Sequence, residues 1–380
     1  MKTPVIILTG TILVFGGFLL YRNSNQFPIP KGESMPFEEA LDRAQNAKEN
    51  TNNNENNSQN VNIEIKEEPF NLDEPETTNT NMNKKSTSIR GESNRKIMVT
   101  DGVKHSIPLN EILSGGPPKD GIPSIDNPKF INPNEADEFL DDNEIGLGVN
   151  LKGESRFYPN QIMVWHEITN DTIQGEPVLV TYCPLCATGI VFERKIDGQP
   201  VEFGVSGRLW QSNLLMYNRS SSESLWSQVL GEAVLGEHTS QRLNIIPSDV
   251  VRYGEWKKAY PDTKVLSRDT GTVRSYGSDP YGNYYTNEDV SFGAKFTDNR
   301  LHPKDFVLGV EHEGQFKAYL KEVIPIGKTS DTFAGKTVTI NKTPNGEVSL
   351  TIGSNNDILP TIGGFWFSWV AVHPNTELYK

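Results

Sequence analysis

The sequence contains only two cysteines in 380 residues, Cys183 and Cys186. A disulfide framework for a small secreted fold needs more than one pair, and a folded part of this length buries a sufficient core without one. Basic charge is also short, with 36 Lys and Arg against 49 Asp and Glu. That balance argues against a nucleic-acid-binding surface, which needs a basic footprint for phosphates. It is compatible with cationic partners and with plain solubility. There is no glycine-rich phosphate loop, dinucleotide fingerprint or GxSxG elbow. GVSGRLW has its second glycine directly after the serine, and HEITN lacks the spacing of a zinc-protease helix. No internal repeat shows at a fixed period.

One long apolar run is present. Residues 4–21, PVIILTGTILVFGGFLLY, carry no charge and nearly match the hydrocarbon thickness of a bilayer, which predicts a transmembrane anchor over 1–22. No small-x-small cleavage site follows in YRNSNQFPIP, so an uncleaved anchor is expected rather than a signal peptide. Lys2 and Arg22 flank the run almost evenly and leave the positive-inside rule nearly balanced. The large hydrophilic part behind a short N-terminal anchor points to export, with the C-terminal domain outside the cytoplasm and the membrane as the first partner. Residues 23–95 are rich in Asn, Glu, Gln and Ser. They cannot bury enough surface to offset chain entropy, so a disordered linker is expected, with a short helix over 36–47.

Residues 96–380 read as one globular domain. Segments such as IGLGVNL, EPVLVTY, GIVFERKI and QPVEFGVSG alternate apolar and polar residues between turn formers. Asp197-Gly198 and Asn345-Gly346 mark hairpin turns. SRFYPNQIMVWHEITN reads as strand, and NDTIQGEP as the turn of a hairpin leading to Cys183. SNLLMYNRSSSESLWSQ reads as two strands around a serine-rich turn. A short capped helix is expected over 134–140. The clearest helix is SDVVRYGEWKKAYP, with Ser248 as N-cap and Val251, Trp256 and Ala259 on one face. GFWFSWVAVHP reads as a closing aromatic strand. The fold class is α+β, mainly antiparallel β with a few short helices.

Chemistry concentrates at Tyr182-Cys183-Pro184-Leu185-Cys186. A strand-like segment follows it, where a thioredoxin-type motif would open a helix. Both thiols are therefore expected in a tight strand-to-strand loop. Three readings stand: a soft-metal site for copper, or zinc; a dithiol/disulfide redox pair; and a structural clasp, whose small ring removes little unfolded-state entropy. His166 and Met216 are candidate further ligands, His166 also a candidate base. Ser206, Arg208, Gln211, Ser212, Asn213, Arg219, Ser227 and Gln228, among Trp210 and Trp226, form either a ligand cleft or the wet face of a sheet.

The blocks GGPPKDGIPSIDNPKFI, WHEITNDT, VTYCPLCATG, FGVSGRLWQSNLLMYNR, SLWSQ, VLSRDTG and FWFSWVAVHPNTELY resemble the bacterial and archaeal family called domain of unknown function 3179, from about residue 107 to 379. The resemblance implies an exported or membrane-associated protein. The positions it marks are His166, Asn170, Asp171, Cys183, Cys186, Asn213, Met216, Trp226 and Gln228. Many relatives are expected to carry glycine where this chain has Ala187. The function expected first is soft-metal binding or electron transfer through Cys183 and Cys186. The alternatives are a thiol–disulfide oxidoreductase with Cys183 as attacking thiolate, and a non-enzymatic module binding a protein or small molecule.

Overall fold

The structure, a computed structural model, describes residues 93–344 and 346–380. The expected anchor, the helix over 36–47 and the linker up to residue 92 lie outside the described residues, as does Asn345. Among the described residues, no helix is long and apolar enough to cross a membrane.

The fold is mainly antiparallel β with a few short helices, in sheets of seven, eight, five and four strands and a separate two-stranded ribbon. The strand Glu176–Cys183 shows how the layers form. Its period of two sends Leu179 and Cys183 to one face and Val178, Val180 and Tyr182 to the other. The first set packs into a core shared with the seven-stranded sheet, around Val205, Leu214 and Trp226. The second packs on Leu147, Val149 and Tyr158 of the five-stranded sheet. With both faces covered, every residue from Val178 to Cys183 is buried, which explains a run more apolar than simple alternation.

The structure reveals a repeat that the sequence reading missed. A hairpin of Ile145–Leu151 and Glu154–Pro159 is followed by a three-stranded meander, Ile168–Ile173, Glu176–Cys183 and Thr188–Glu193. Later come a strand, Ser248–Arg252, the helix Tyr253–Ala259, and a strand, Lys264–Leu266, parallel to Glu154–Pro159. The same series recurs. The hairpin Phe306–His312 and Gln315–Leu320 precedes the meander Gly327–Phe333, Lys336–Lys342 and Val348–Ile352. Then come the strand Ile362–Phe365, the helix Trp366–Val372, and the strand Glu377–Tyr379, parallel to Gln315–Leu320.

Side chains repeat with the backbone. Trp256 Nε1 donates to Thr263 Oγ1 at 2.9 Å, and Trp369 Nε1 donates to Thr376 Oγ1 at 2.9 Å. A Cβ added at Gly148 would strike the Trp256 ring, and one at Gly309 the Trp369 ring. Arg156 pairs with Asp171 beside Tyr158, and Lys317 pairs with Asp331 at 2.7 Å beside Tyr319. The first copy carries an insertion, 194–247, of which the strands Phe203–Trp210, Asn213–Asn218, Ser224–Ser227 and Glu232–Gly236 join Met98–Thr100, Val103–His105 and Leu113–Ser114 in the seven-stranded sheet.

Several sequence expectations change. SRFYPNQIMVWHEITN is not one strand: Glu154–Pro159 leads into the helix Asn160–Met163, and the next strand starts at Ile168. Ser248 caps no helix; Ser248–Arg252 is a strand paired with Ile145–Leu151, and the helix begins at Tyr253. The β-branched pair Val250-Val251 suits that strand. GFWFSWVAVHP is strand only to Phe365 and helix from Trp366; a run buried all round carries no periodicity to separate the two. The short helix expected over 134–140 is Pro133–Ala136, with a capping box on Asn132. The hairpin at Asp197-Gly198, the serine-rich hairpin and the hairpin leading to Cys183 are present.

Candidate functional site

Cys183 ends one strand and pairs across the meander with Thr188. Between them Pro184–Cys186 form a single 3-10 turn, closed by Ala187 in the left-handed conformation at φ 46°. The thiols thus sit in a strand-to-strand loop, as expected. Both are free and buried. They face the Gln211-Ser212 turn between Phe203–Trp210 and Asn213–Asn218. The Ser212 carbonyl oxygen lies 3.2 Å from Cys186 Sγ and 3.9 Å from Cys183 Sγ.

The two thiols are electrostatically unequal. Burial pushes Cys183 well above the ordinary thiol range, and its hydrogen bond to Cys186 adds to the rise. Burial opposes ionisation of Cys186 too, but hydrogen bonds from Cys183, Ser368 and Asn213 bring it below the ordinary value. Of the two, the surroundings favour ionisation of Cys186 over Cys183.

Strained backbone gathers here. Glu167, Ala187, Gln211 and Ser212 all have φ between 46° and 64°, a region that costs an L-residue roughly 1–2 kcal/mol. Elsewhere several left-handed residues, such as Asp197 and Ala334, precede a glycine in a hairpin turn. These four do not, and they surround the thiols. Such strain persists where surrounding contacts over-determine it, and it clusters at functional sites. Glu167 is also a buried acid. Burial raises its pKa well above the carboxylate range, and the neighbouring Cys183 raises it further, so its surroundings favour the protonated carboxyl. The sequence reading passed over Glu167, because nothing in a sequence marks a left-handed glutamate.

The other predicted residues are placed as follows. His166 lies in the turn before Ile168–Ile173. Its Nδ1 is 2.7 Å from Pro123 O and its Nε2 2.6 Å from Tyr276 OH. With Nδ1–H donating to the carbonyl, Nε2 accepts from the phenol, and both ring nitrogens are used. Met216 is wholly buried opposite Val205 and Trp226; strand alternation puts it on the face opposite Asn213, which reaches Cys186. Among the described residues, no three His, Cys, Asp or Glu gather as a metal site.

Asn213 and Gln228 lie in a buried network with Thr188 and Thr181 that ties the two sheets. Asn213 Nδ2 donates to Gln228 Oε1 at 2.8 Å, and Gln228 Nε2 donates to Thr181 Oγ1 at 3.1 Å. Asn170 bridges Asp126 and the backbone of Phe203. Asp171 accepts from Arg156 and Tyr158, and the second copy matches the ion pair as Lys317–Asp331. Arg219 binds Asp126 and Asp120. Trp226 donates to Asn218 Oδ1, and Ser206 to Leu215 O. These side chains knit sheets and loops together. None of them lines the large cleft described below.

A family model described as "Protein of unknown function (DUF3179)" matches residues 119–357. The chain belongs to that family. No curated protein and no solved structure matches the chain. The DUF3179 match spans the thiol turn, the insertion with Ser212, Asn213 and Gln228, and the connector between the two copies. Ser368, which contributes to the Cys186 environment, lies beyond it.

The DUF3179 chain also has an open cleft of about 1020 Å³. Tyr182 and Ala187, the neighbours of Cys183 and Cys186 in sequence, line it with Tyr285 and Phe365. Its rim mixes Arg252, Arg268 and Lys342 with Asp141, Glu144 and Glu255, so neither sign of charge dominates. Between cleft and thiols lies a tyrosine cluster from the connector, Tyr281, Tyr284 and Tyr285, with ring centroids 6.0–6.3 Å apart. Tyr284 OH donates to Leu185 O at 3.0 Å.

Proposed function

We propose that this DUF3179 domain is a dithiol/disulfide redox module that works through Cys183 and Cys186, held outside the cytoplasm by an N-terminal membrane anchor. One observation carries the reading. The first copy of the repeat departs from the second in its thiol turn, its inserted sheet and the connector that follows, and all three departures meet at the two sulfurs. In the second copy the corresponding meander turn is a thiol-free hairpin turn closing between Lys342 and Val348. What the copies share serves the fold, and what converges on the thiols serves the chemistry.

The partner in this reading is a protein or small molecule bearing a disulfide. The Cys186 thiolate attacks one sulfur of that disulfide, and the other leaves and takes up a proton. Cys183 then gives up its proton and attacks Cys186 Sγ, which releases the second partner sulfur as a thiol. Two thiols of the domain become one disulfide, and one partner disulfide becomes two thiols. The lowered pKa of Cys186 favours it over Cys183 as the attacking group, and protonated Glu167 beside Cys183 is a proton source for the leaving sulfur.

Copper(I), or zinc, is the second reading. Its support is the convergence of both sulfurs on one point beside Ser212 O; a two-coordinate soft ion suits two thiolates, with His166 and Met216 engaged elsewhere. One experiment separates the readings. The full-length chain, purified without oxygen in detergent, is assayed for bound metal and equilibrated across glutathione redox buffers. Thiols are then counted by alkylation and mass. The redox reading expects no stoichiometric metal and both thiols lost together and reversibly, with no such reversible loss in Cys183→Ser or Cys186→Ser. Near-stoichiometric copper or zinc that disappears in both variants would replace it with the metal reading. Thiols that never oxidise reversibly and bind no metal would leave a structural pair on a binding module.

A further inference from the structure

We propose that the connector between the two copies, residues 267–305, is an openable cover over the thiols, with Tyr284 as its latch. This rests on the reading of Cys183 and Cys186 as the working groups. Exchange with a partner requires an exposed sulfur, yet Cys183 is 2% and Cys186 0% exposed. The connector forms part of the covering layer, alongside the Gln211-Ser212 turn. Tyr281, Tyr284 and Tyr285 pack on the core that contains both cysteines.

The connector is built unlike the rest of the domain. Between the strands Lys264–Leu266 and Phe306–His312 it has no strand, only the 3-10 turn Gly282–Thr286. Structureless segments longer than about 15 residues inside a compact domain are uncommon and often functional. It is tied to the rest of the domain at several points, among them the Lys295 backbone N–H, which donates to Gln211 Oε1 at 2.6 Å, and it is braced internally by Lys304. Tyr284 OH holds the carbonyl of Leu185, the residue between Pro184 and Cys186 in the thiol turn. Lys304, 7% exposed, donates to the Tyr284 carbonyl and, at 2.7 Å, to Asn287 Oδ1, and its ammonium sits 3.6 Å from the Tyr284 ring centroid. Releasing Tyr284 therefore removes the connector's hydrogen bond to the thiol turn. The space beyond Tyr285 is the cleft that Tyr182 and Ala187 already line, so opening joins the sulfurs to a site large enough for a partner's disulfide segment.

The test reads access and not redox activity. Reduced full-length chain is alkylated with iodoacetamide, and the rate is followed at increasing urea below the unfolding transition. Tyr284→Phe removes only the bond to Leu185 and should raise the rate about fivefold, the worth of one neutral hydrogen bond, with little urea dependence because the opening is local. Should that variant fail to fold, Lys304→Gln, which weakens the hold on the Tyr284 carbonyl, is read the same way. An unchanged rate would overturn the latch. A raised rate whose urea dependence matches global unfolding would also overturn it, since the thiols would then be reached only by unfolding. The glutathione titration can fail while this test succeeds, and the reverse, so the two ideas are separable.

Discussion

At the residue scale, the thiol turn combines two electrostatically unequal sulfurs with backbone strain around them. Ala187 is the simplest strained position. At φ 46° and ψ 27° its Cβ crowds the following carbonyl, a cost that glycine avoids. Ala187→Gly should therefore stabilise the protein by about 0.5–1 kcal/mol, measured as a rise in urea midpoint at constant m-value. The expectation of glycine in relatives rests on family resemblance; the left-handed cap is a conformation that glycine adopts without strain. Glu167 makes the second prediction. Its folded pKa is raised, so its contribution to stability is full below the unfolded carboxylate value and is lost as pH rises toward the folded value. Glu167→Gln keeps the shape and removes the ionisation. It should unfold at higher urea than the wild-type protein at pH 7 and at the same urea at pH 4. A variant less stable than wild type at pH 7 would mean that the carboxylate form is needed for folding.

At the element scale, the molecule is two copies of one arrangement. In each, a glycine in the first hairpin strand lets a helix tryptophan lie flat on the sheet, and that tryptophan holds a threonine at the start of the parallel strand. The equivalence can be tested as a matched pair. Gly148→Ala and Gly309→Ala should each destabilise by about 1–3 kcal/mol, the range for overpacking a filled core, in urea unfolding. A negligible effect at either position would show that the helix shifts freely and that the packing is not shared. Hairpin positions were legible in the sequence, because Asp-Gly turns and period-two strands are local signals. The two tryptophan helices were harder. One follows a strand without a break and was extended backward over Val251; the other is buried all round and looked like strand. The repeat escaped notice because the insertion and the connector separate the matching motifs by unequal lengths of chain. At the site, the cysteine pair was visible, whereas Glu167, Ser212 and the tyrosine cover come together only through tertiary contacts.

At the scale of the whole molecule, His166 joins three parts that are distant in sequence: the N-terminal segment at Pro123, the first copy, and the connector at Tyr276. Tyr276 passes the chain of hydrogen bonds on to Thr270, 2.6 Å away. In the neutral ring Nε2 accepts from the phenol. Burial, the largest influence, lowers its pKa to about 4, outweighing the bond to the Pro123 carbonyl that raises it. The unfolded chain protonates this residue near the ordinary histidine value of about 6.5. Between those values the unfolded state binds the proton and the folded state does not, so stability falls as pH drops through the window. The shift corresponds to about 3 kcal/mol over the full range. His166→Gln retains a donor and an acceptor but cannot titrate. Urea unfolding from pH 7 to pH 4 should show the wild-type protein losing that much more stability than the variant. Parallel losses in the two proteins would mean that His166 titrates normally in the folded state and that the Pro123–His166–Tyr276 chain does not hold it neutral. The same tie anchors the connector at its start, as Tyr284 anchors it further on. Acid conditions that protonate His166 are therefore expected to speed alkylation of the thiols before the protein unfolds, measured with a reagent whose rate is corrected for thiol ionisation.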